Sequence, residues 1–210
     1  MRVAVYDHME ECTEVVVQQM LPLVSAQRRE QALKYKHTHG RFCCLKSWLM
    51  LQKMVGISTK DAQNTDKTPI WCRNFEYNEH GKPFLPDGPY FSISHCKEGI
   101  AVAVDDEPIG IDIEGIRRVD QELVARVMNK DEQALISSAK EPERMFTRLW
   151  TQKEAIVKAQ GVGIFSFEQL QTVLVDPSYA VKTVEKDKYI YSIAYGKLHC
   201  IGAKVPSTDL

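Results

Sequence analysis

The sequence predicts an α+β fold built as two similar lobes in one chain, with a cleft where they meet. Three observations predict it. The order strand, helices, long helix closed by glycine, then strands occurs twice. The two closing glycines, Gly56 and Gly161, lie half of the 210-residue chain apart. The strands that open each half, near Val3 and Ile109, show nearly the same offset. Residue identity between the halves is poor, so the repeat is one of element order. The expected lobes are residues 1–104 and 105–210, the second carrying the motifs described below.

Arg2 to Tyr6 alternates around valines and reads as a strand. Thr13 to Val24 is apolar and helical in pattern, interrupted near Pro22. Ser25 is placed to cap a following basic helix, and His37 to Val55 reads as a longer helix that Gly56 ends. Thr65 to Pro89 is rich in Pro, Gly, Asn and Asp and reads mostly as loop and turn. Tyr90 to His95, Gly99 to Val104 and Ile109 to Glu114 are expected strands. Asp120 to Ala139 is an expected helical region, and Pro142 opens a long helix that reaches Gln160 with Gly161 as its cap. Four further β segments are expected over 170–175, 180–185, 189–195 and 198–205.

Apolar residues make up 44% and charged residues 26% of the chain, which fits a globular domain and excludes a disordered or collagen-like one. Lys and Arg number 27 against 28 Asp and Glu, so no bulk positive field favours nucleic acid. No run approaches the ~18 apolar residues of a membrane helix, and the apolar stretch at the N-terminus is too short for a signal peptide. The six cysteines are scattered without a C-x-x-C pair, which argues against zinc and for reduced thiols. A cytoplasmic protein is expected.

The densest acidic segment is Asp105 to Glu114, with five acids in ten residues and no base. Alternation along a strand puts Asp112 and Glu114 on one face and Ile109, Ile111 and Ile113 on the other. Paired carboxylates repel, and a divalent cation between them removes that penalty; oxygen ligation suits magnesium. A solvated edge strand with two exposed acids is the competing explanation. On the helix through Arg148 to Gly161, Trp150, Glu154 and Lys158 form one stripe. That stripe is either part of a site or a routine surface Glu–Lys pair. Gly81-Lys82-Pro83, Ser92-Ile93-Ser94-His95 and the basic stretch Arg28, Arg29, Lys34, Lys36, Arg41 point toward anion binding, or to a turn lysine, an ordinary histidine and a solvated helix face.

Together these segments resemble the Sfp-type 4′-phosphopantetheinyl transferases. The two identifying motifs are Ile109-Gly110-Ile111-Asp112-Ile113-Glu114 and Leu149-Trp150-Thr151-Gln152-Lys153-Glu154-Ala155-Ile156-Val157-Lys158. The segments around Arg41, Lys82 and Ser94-His95 follow in the family's order, so the resemblance extends along the whole chain. Cys96, Thr151 and Ala155 stand where the family favours hydroxyl residues, which touches only the fine detail of phosphate contacts.

The resemblance implies coenzyme A as donor, Mg2+ as cofactor and a serine of an apo carrier protein (acyl, polyketide or peptidyl) as acceptor, with adenosine 3′,5′-bisphosphate released. It implies that Asp112, Glu114 and Glu154 hold the metal. Glu154 and Lys158 would be the catalytic pair, Glu154 assisting deprotonation of the serine and Lys158 steadying the pyrophosphate or protonating the leaving phosphate. Arg41, Lys82, Ser94, His95, Lys153 and Lys158 would contact coenzyme A, with Arg28 a weaker correspondence and Trp150 shaping the same wall as Lys153. A monomer suffices, with no nucleic-acid or membrane partner. A coenzyme A-binding module without catalysis has no use for the paired acids. A magnesium phosphohydrolase uses the same acids, and release of free phosphopantetheine without a carrier distinguishes it. An acetyltransferase is disfavoured because Gln160-Gly161-Val162-Gly163 follows a helix rather than preceding one.

Overall fold

The structure is a computed structural model that describes residues 1–56, 75–86, 88–116, 118–163, 167–175 and 178–196. β1 (Arg2–Tyr6) leads into α1 (Glu14–Met20), which Thr13 caps by accepting from the Val16 amide at 3.3 Å. Pro22 then tightens the chain into a 3-10 turn over Leu21–Leu23. Ser25 caps α2 (Ala26–Leu33) through the Arg28 amide, and α3 (Thr38–Met54) follows. Gly56 stands just beyond α3 with φ +81°, a left-handed conformation that glycine adopts without strain. A hairpin of two short strands, β2 (Glu76–Tyr77) and β3 (Pro83–Phe84), precedes β4 (Tyr90–His95), β5 (Ile100–Asp105) and β6 (Ile109–Gly115).

In place of one helix over 120–139 there are two, α4 (Gln121–Val127) and α5 (Lys130–Ser138). The break comes from Asn129, which forms a capping box with Glu132 and restarts the helix. α6 (Pro142–Gln160) has proline in its first turn and Gly161 at φ +74° closing it. The strand expected over 170–175 is instead α7 (Phe167–Thr172) followed by a 3-10 turn. Leu170 and Val173 are both buried, and that i, i+3 spacing fits a helical face. β7 (Tyr179–Glu185) and β8 (Tyr189–Gly196) end the described chain, so the segment expected over 198–205 lies outside the described residues.

The mixed α+β architecture contains two antiparallel three-stranded sheets, ordered β1-β5-β4 and β6-β8-β7. In each the last strand in the sequence sits in the middle. Ile100, Val102 and Val104 of β5 pack under α1 and α3, while Ala101 and Ala103 turn to the opposite face and meet Ile109, Ile111 and Ile113 of β6. That second set is a core shared by both sheets. A third core lies between β8 and α4, α5, α6 and α7. At the junction β4 runs beside β6, and the Ile111 amide donates to Ser92 Oγ at 3.0 Å.

One glycine decides how closely α6 approaches the second sheet. A Cβ on Gly110 would collide with the Ala155 carbonyl oxygen and lie 2.5 Å from the Ala159 nitrogen, both backbone atoms of α6. The helix axis can close on β6 only because no side chain is there. Gly110→Ala forces the two elements apart, and overpacking of this kind costs about 1–3 kcal/mol. Urea unfolding monitored by circular dichroism should show the lower midpoint; an unchanged midpoint would mean that the contact is soft.

Candidate active site

Close packing over Gly110 brings the α6-facing side of β6 against the polar stripe of α6. Asp112 is 3% exposed. Its Oδ1 accepts from Lys158 Nζ at 2.6 Å and from Ser94 Oγ at 2.8 Å, and Lys158 Nζ also reaches Ser94 Oγ at 3.0 Å. Asp112 Oδ2 is buried and has no hydrogen-bond partner. Three elements thus converge on one carboxylate: β6 supplies it, β4 supplies the serine and α6 the lysine.

Glu154 is one turn before Lys158 on α6. Burial pushes its carboxyl up from 4.5 to about 7; the charge of Asp112, and less so of Glu114, adds to the rise while Lys158 opposes it. Among the described residues, no group of three or more His, Cys, Asp or Glu is placed to hold a metal ion. The donor chemistry nevertheless suits a hard divalent cation, because the set is carboxylate oxygen throughout and one buried oxygen of Asp112 is unused.

A cleft of about 280 Å³ opens beside this cluster. Glu154, Val157 and Lys158 form one wall, Ser92 and Ile93 another, and the turn His80 to Pro83 a third. Lys82 Nζ donates to the carbonyls of Lys158 at 2.5 Å and Ile109 at 3.4 Å, and burial lowers the ammonium to about 8. His95 ends β4 with its ring edge-on to His39 at 6.2 Å. Desolvation first, then His39 and Lys158, holds its imidazolium below the ordinary range.

The structure therefore brings Asp112, Glu154, Lys158, Ser94 and Lys82 together, with Glu114 and His95 in electrostatic reach. It places four other residues elsewhere. Lys153 is not on the cleft: fully buried on another face of α6, its ammonium donates to Glu132 Oε2 at 2.7 Å and to the Leu170 carbonyl. One residue along a helix turns the side chain by about 100°, so adjacent Lys153 and Glu154 cannot share a wall. Trp150 stacks on Phe146 in the helical core and shapes no wall with Lys153. Arg41 is engaged by Glu14 and by the Tyr35 and Lys36 carbonyls, away from the cleft lining. Arg28 is buried between the rings of Trp48 and Phe75, 4.2 and 4.5 Å from their centres. Sequence reasoning missed Ser92 as the junction bridge and Asn78, whose side chain donates to the Gly161 carbonyl at 2.7 Å. Its one visible signal was an asparagine at the head of a Gly-Lys-Pro turn.

A family model described as the 4′-phosphopantetheinyl transferase superfamily matches residues 108–203, the segment that carries β6 and α6. The 4′-phosphopantetheinyl transferase Sfp of Bacillus subtilis (strain 168) is 28% identical over 151 residues, covering 70% of this chain and 64% of that one. The chain belongs to the 4′-phosphopantetheinyl transferase superfamily. Within this superfamily it is also similar to 4′-phosphopantetheinyl transferase psf-1 of Bacillus pumilus (31% over 152 residues, 70% of this chain, 62% of the relative). The 4′-phosphopantetheinyl transferase AcpT of Escherichia coli (strain K12) is 39% identical over 110 residues, covering 49% of this chain and 54% of its own. The chain thus spans less than two thirds of the length of these curated relatives.

For this superfamily member the raised carboxyl of Glu154 has a stability consequence. The folded group binds its proton more tightly than the unfolded one, so its contribution is complete below pH 4.5 and is lost as pH rises toward 7. Glu154→Gln removes that loss. The metal-free variant should be roughly 2 kcal/mol more stable than the parent at pH 8, after discounting for partial exposure, and equal to it at pH 4. Denaturant midpoints at the two pH values measure this; a difference independent of pH would contradict the assignment.

Proposed function

We propose that the chain transfers the 4′-phosphopantetheine group from coenzyme A to a serine hydroxyl of an apo carrier protein. The observation that carries this reading is the cluster of buried Asp112 with half-buried Glu154 and Lys158, beside a cleft with a second lysine on another wall. Acids for a cation and ammonium groups for phosphates in one cleft are what cleavage of a diphosphate needs. The names of the relatives support the reaction class.

In this reading Asp112, Glu114 and Glu154 hold Mg2+, Asp112 through the oxygen that has no protein partner. When bound, the ion supplies positive charge against the diphosphate oxygens. Lys158 lies within 3.0 Å of both Ser94 and Asp112 and holds its ammonium at the phosphate end of the cleft. Lys82, Ser94 and His95 orient the donor. Glu154, at the edge of the cleft, assists removal of the serine proton, directly or through a water shared with the ion. The serine oxygen forms a bond to the phosphorus that carries pantetheine. The bond from that phosphorus to the bridging oxygen breaks, and Lys158 protonates the departing adenosine 3′,5′-bisphosphate.

The reading includes two lobes, 1–104 and 105–210, supported by the equal strand order of the two sheets. A cleft completed within one chain supports a monomer. Free thiols at Cys12, Cys43, Cys44 and Cys96 support a reducing, cytoplasmic setting. No described helix is long and apolar enough to cross a membrane. Mass spectrometry of an apo carrier protein incubated with the chain, coenzyme A and magnesium tests the reaction. A gain of about 340 Da on one serine is expected, and free phosphopantetheine with an unmodified carrier would instead indicate hydrolysis.

A further inference from the structure

One side chain braces the turn that forms the third wall of the cleft at both of its ends. Asn78 Oδ1 accepts from the amides of His80 at 3.0 Å and Lys82 at 2.8 Å, which folds the turn on itself. The Asn78 amide donates to the Lys82 carbonyl at 3.0 Å, and Gly81 completes the turn at φ +79°. The other end of the same side chain, Nδ2, crosses to the C-terminal end of α6 and donates to the Gly161 carbonyl. The last carbonyls of a helix have no partner within it and carry partial negative charge. Here they are taken by two residues of one turn, Asn78 at Gly161 and Lys82 at Lys158. Among the described residues Lys82 makes no ion pair; its hydrogen-bond acceptors are neutral carbonyls. A cleft-lining ammonium that no carboxylate pairs with is available to an anion, provided that the turn stays in place when the ammonium leaves α6.

We propose that Asn78 is the positioning residue of the donor site: by tying the turn to Gly161, it keeps Lys82 at the cleft both before and after the ammonium moves from the helix carbonyls to a donor phosphate. The role rests on the reading of the cleft as the coenzyme A site. It assigns Asn78 to donor binding and not to bond making or breaking.

Two variants separate the turn from the tie. Asn78→Ala removes both, whereas Asn78→Ser keeps a short acceptor for the turn amides and cannot reach Gly161. The first readout is acylation of Lys82 by an amine-reactive ester in the ligand-free protein, measured by mass spectrometry against exposed Lys188. Labelling of Lys82 should rise about fivefold in both variants, the population change that one neutral hydrogen bond supports. The second readout is steady-state kinetics, with KM for coenzyme A raised by a similar factor and kcat unchanged. Wild-type labelling of Lys82 in Asn78→Ser overturns the proposal, as does a fall in kcat at constant KM. Failure of the wild-type chain to bind coenzyme A overturns the reading of the cleft instead, and the labelling result still decides whether Asn78 positions Lys82.

Discussion

Asp112→Ala should abolish the proposed phosphopantetheine transfer at saturating magnesium and coenzyme A, a loss of at least about 10³-fold, and Glu154→Ala should do the same. Loss of one preorganised electrostatic group alone costs about 10²–10³ in turnover, and Asp112 serves more than one purpose. It is the counter-charge of Lys158 at 2.6 Å and the acceptor of Ser94 at 2.8 Å, and its charge helps keep the Glu154 carboxyl near neutrality. Its removal leaves Lys158 without this anionic partner and takes away one of the charges that raise the Glu154 carboxyl. Asp112→Asn is the sharper variant. It keeps an acceptor for Ser94 and the shape of the site but loses the charge. Turnover measured by transfer to a carrier protein should be lost in both; near-normal turnover in Asp112→Asn would show that the charge is dispensable.

Lys153→Ala destabilises the fold by about 3–5 kcal/mol, the usual cost of removing one partner from a buried ion pair. The ammonium is fully buried, and burial alone would lower its proton affinity; Glu132 acts in the opposite sense and helps keep it charged. Glu132 meanwhile caps α5 through the Asn129 amide at 2.8 Å, so the pair joins α6 to the start of α5, and the Leu170 carbonyl joins both to α7. Removing the lysine strands Glu132 in the interior. Replacing both partners, as in Lys153→Met with Glu132→Leu, leaves no buried charge and should recover most of the loss. Urea midpoints of the three chains measure this. A single variant within about 1 kcal/mol of the parent would contradict the buried pair and reopen the coenzyme A contact that the resemblance implied for Lys153.

Local pattern carried far through this chain. Pro142 and Gly161 delimit α6 from sequence alone, and alternation identifies β1, β4 and β6. The spacing of Glu154 and Lys158 and the alternation of Asp112 with the isoleucines placed the carboxylates and lysine on the correct faces. What could not be read was whatever depends on contact between distant segments. Lys153 lies inside a motif whose neighbours are functional, and only the packing of α5 and α7 against α6 shows which way it points. The Ser94–Asp112 and Asn78–Gly161 bonds link residues far apart in sequence and leave no periodic trace. Arg28 and Arg41 read as free positive charge because their aromatic and carbonyl partners sit on other turns of the chain. The break at Asn129 was legible in principle, since Asn-x-x-Glu is a capping box, but the apolar pattern runs through it.

The proposed transfer requires the acids of β6 and α6 to hold a divalent ion against the diphosphate of coenzyme A. Anomalous scattering from crystals grown with manganese and coenzyme A measures this directly. A single peak bonded to Asp112 and Glu154 and to phosphate oxygen is the expected result. A donor bound with its diphosphate remote from these carboxylates, and no peak at them, would contradict it.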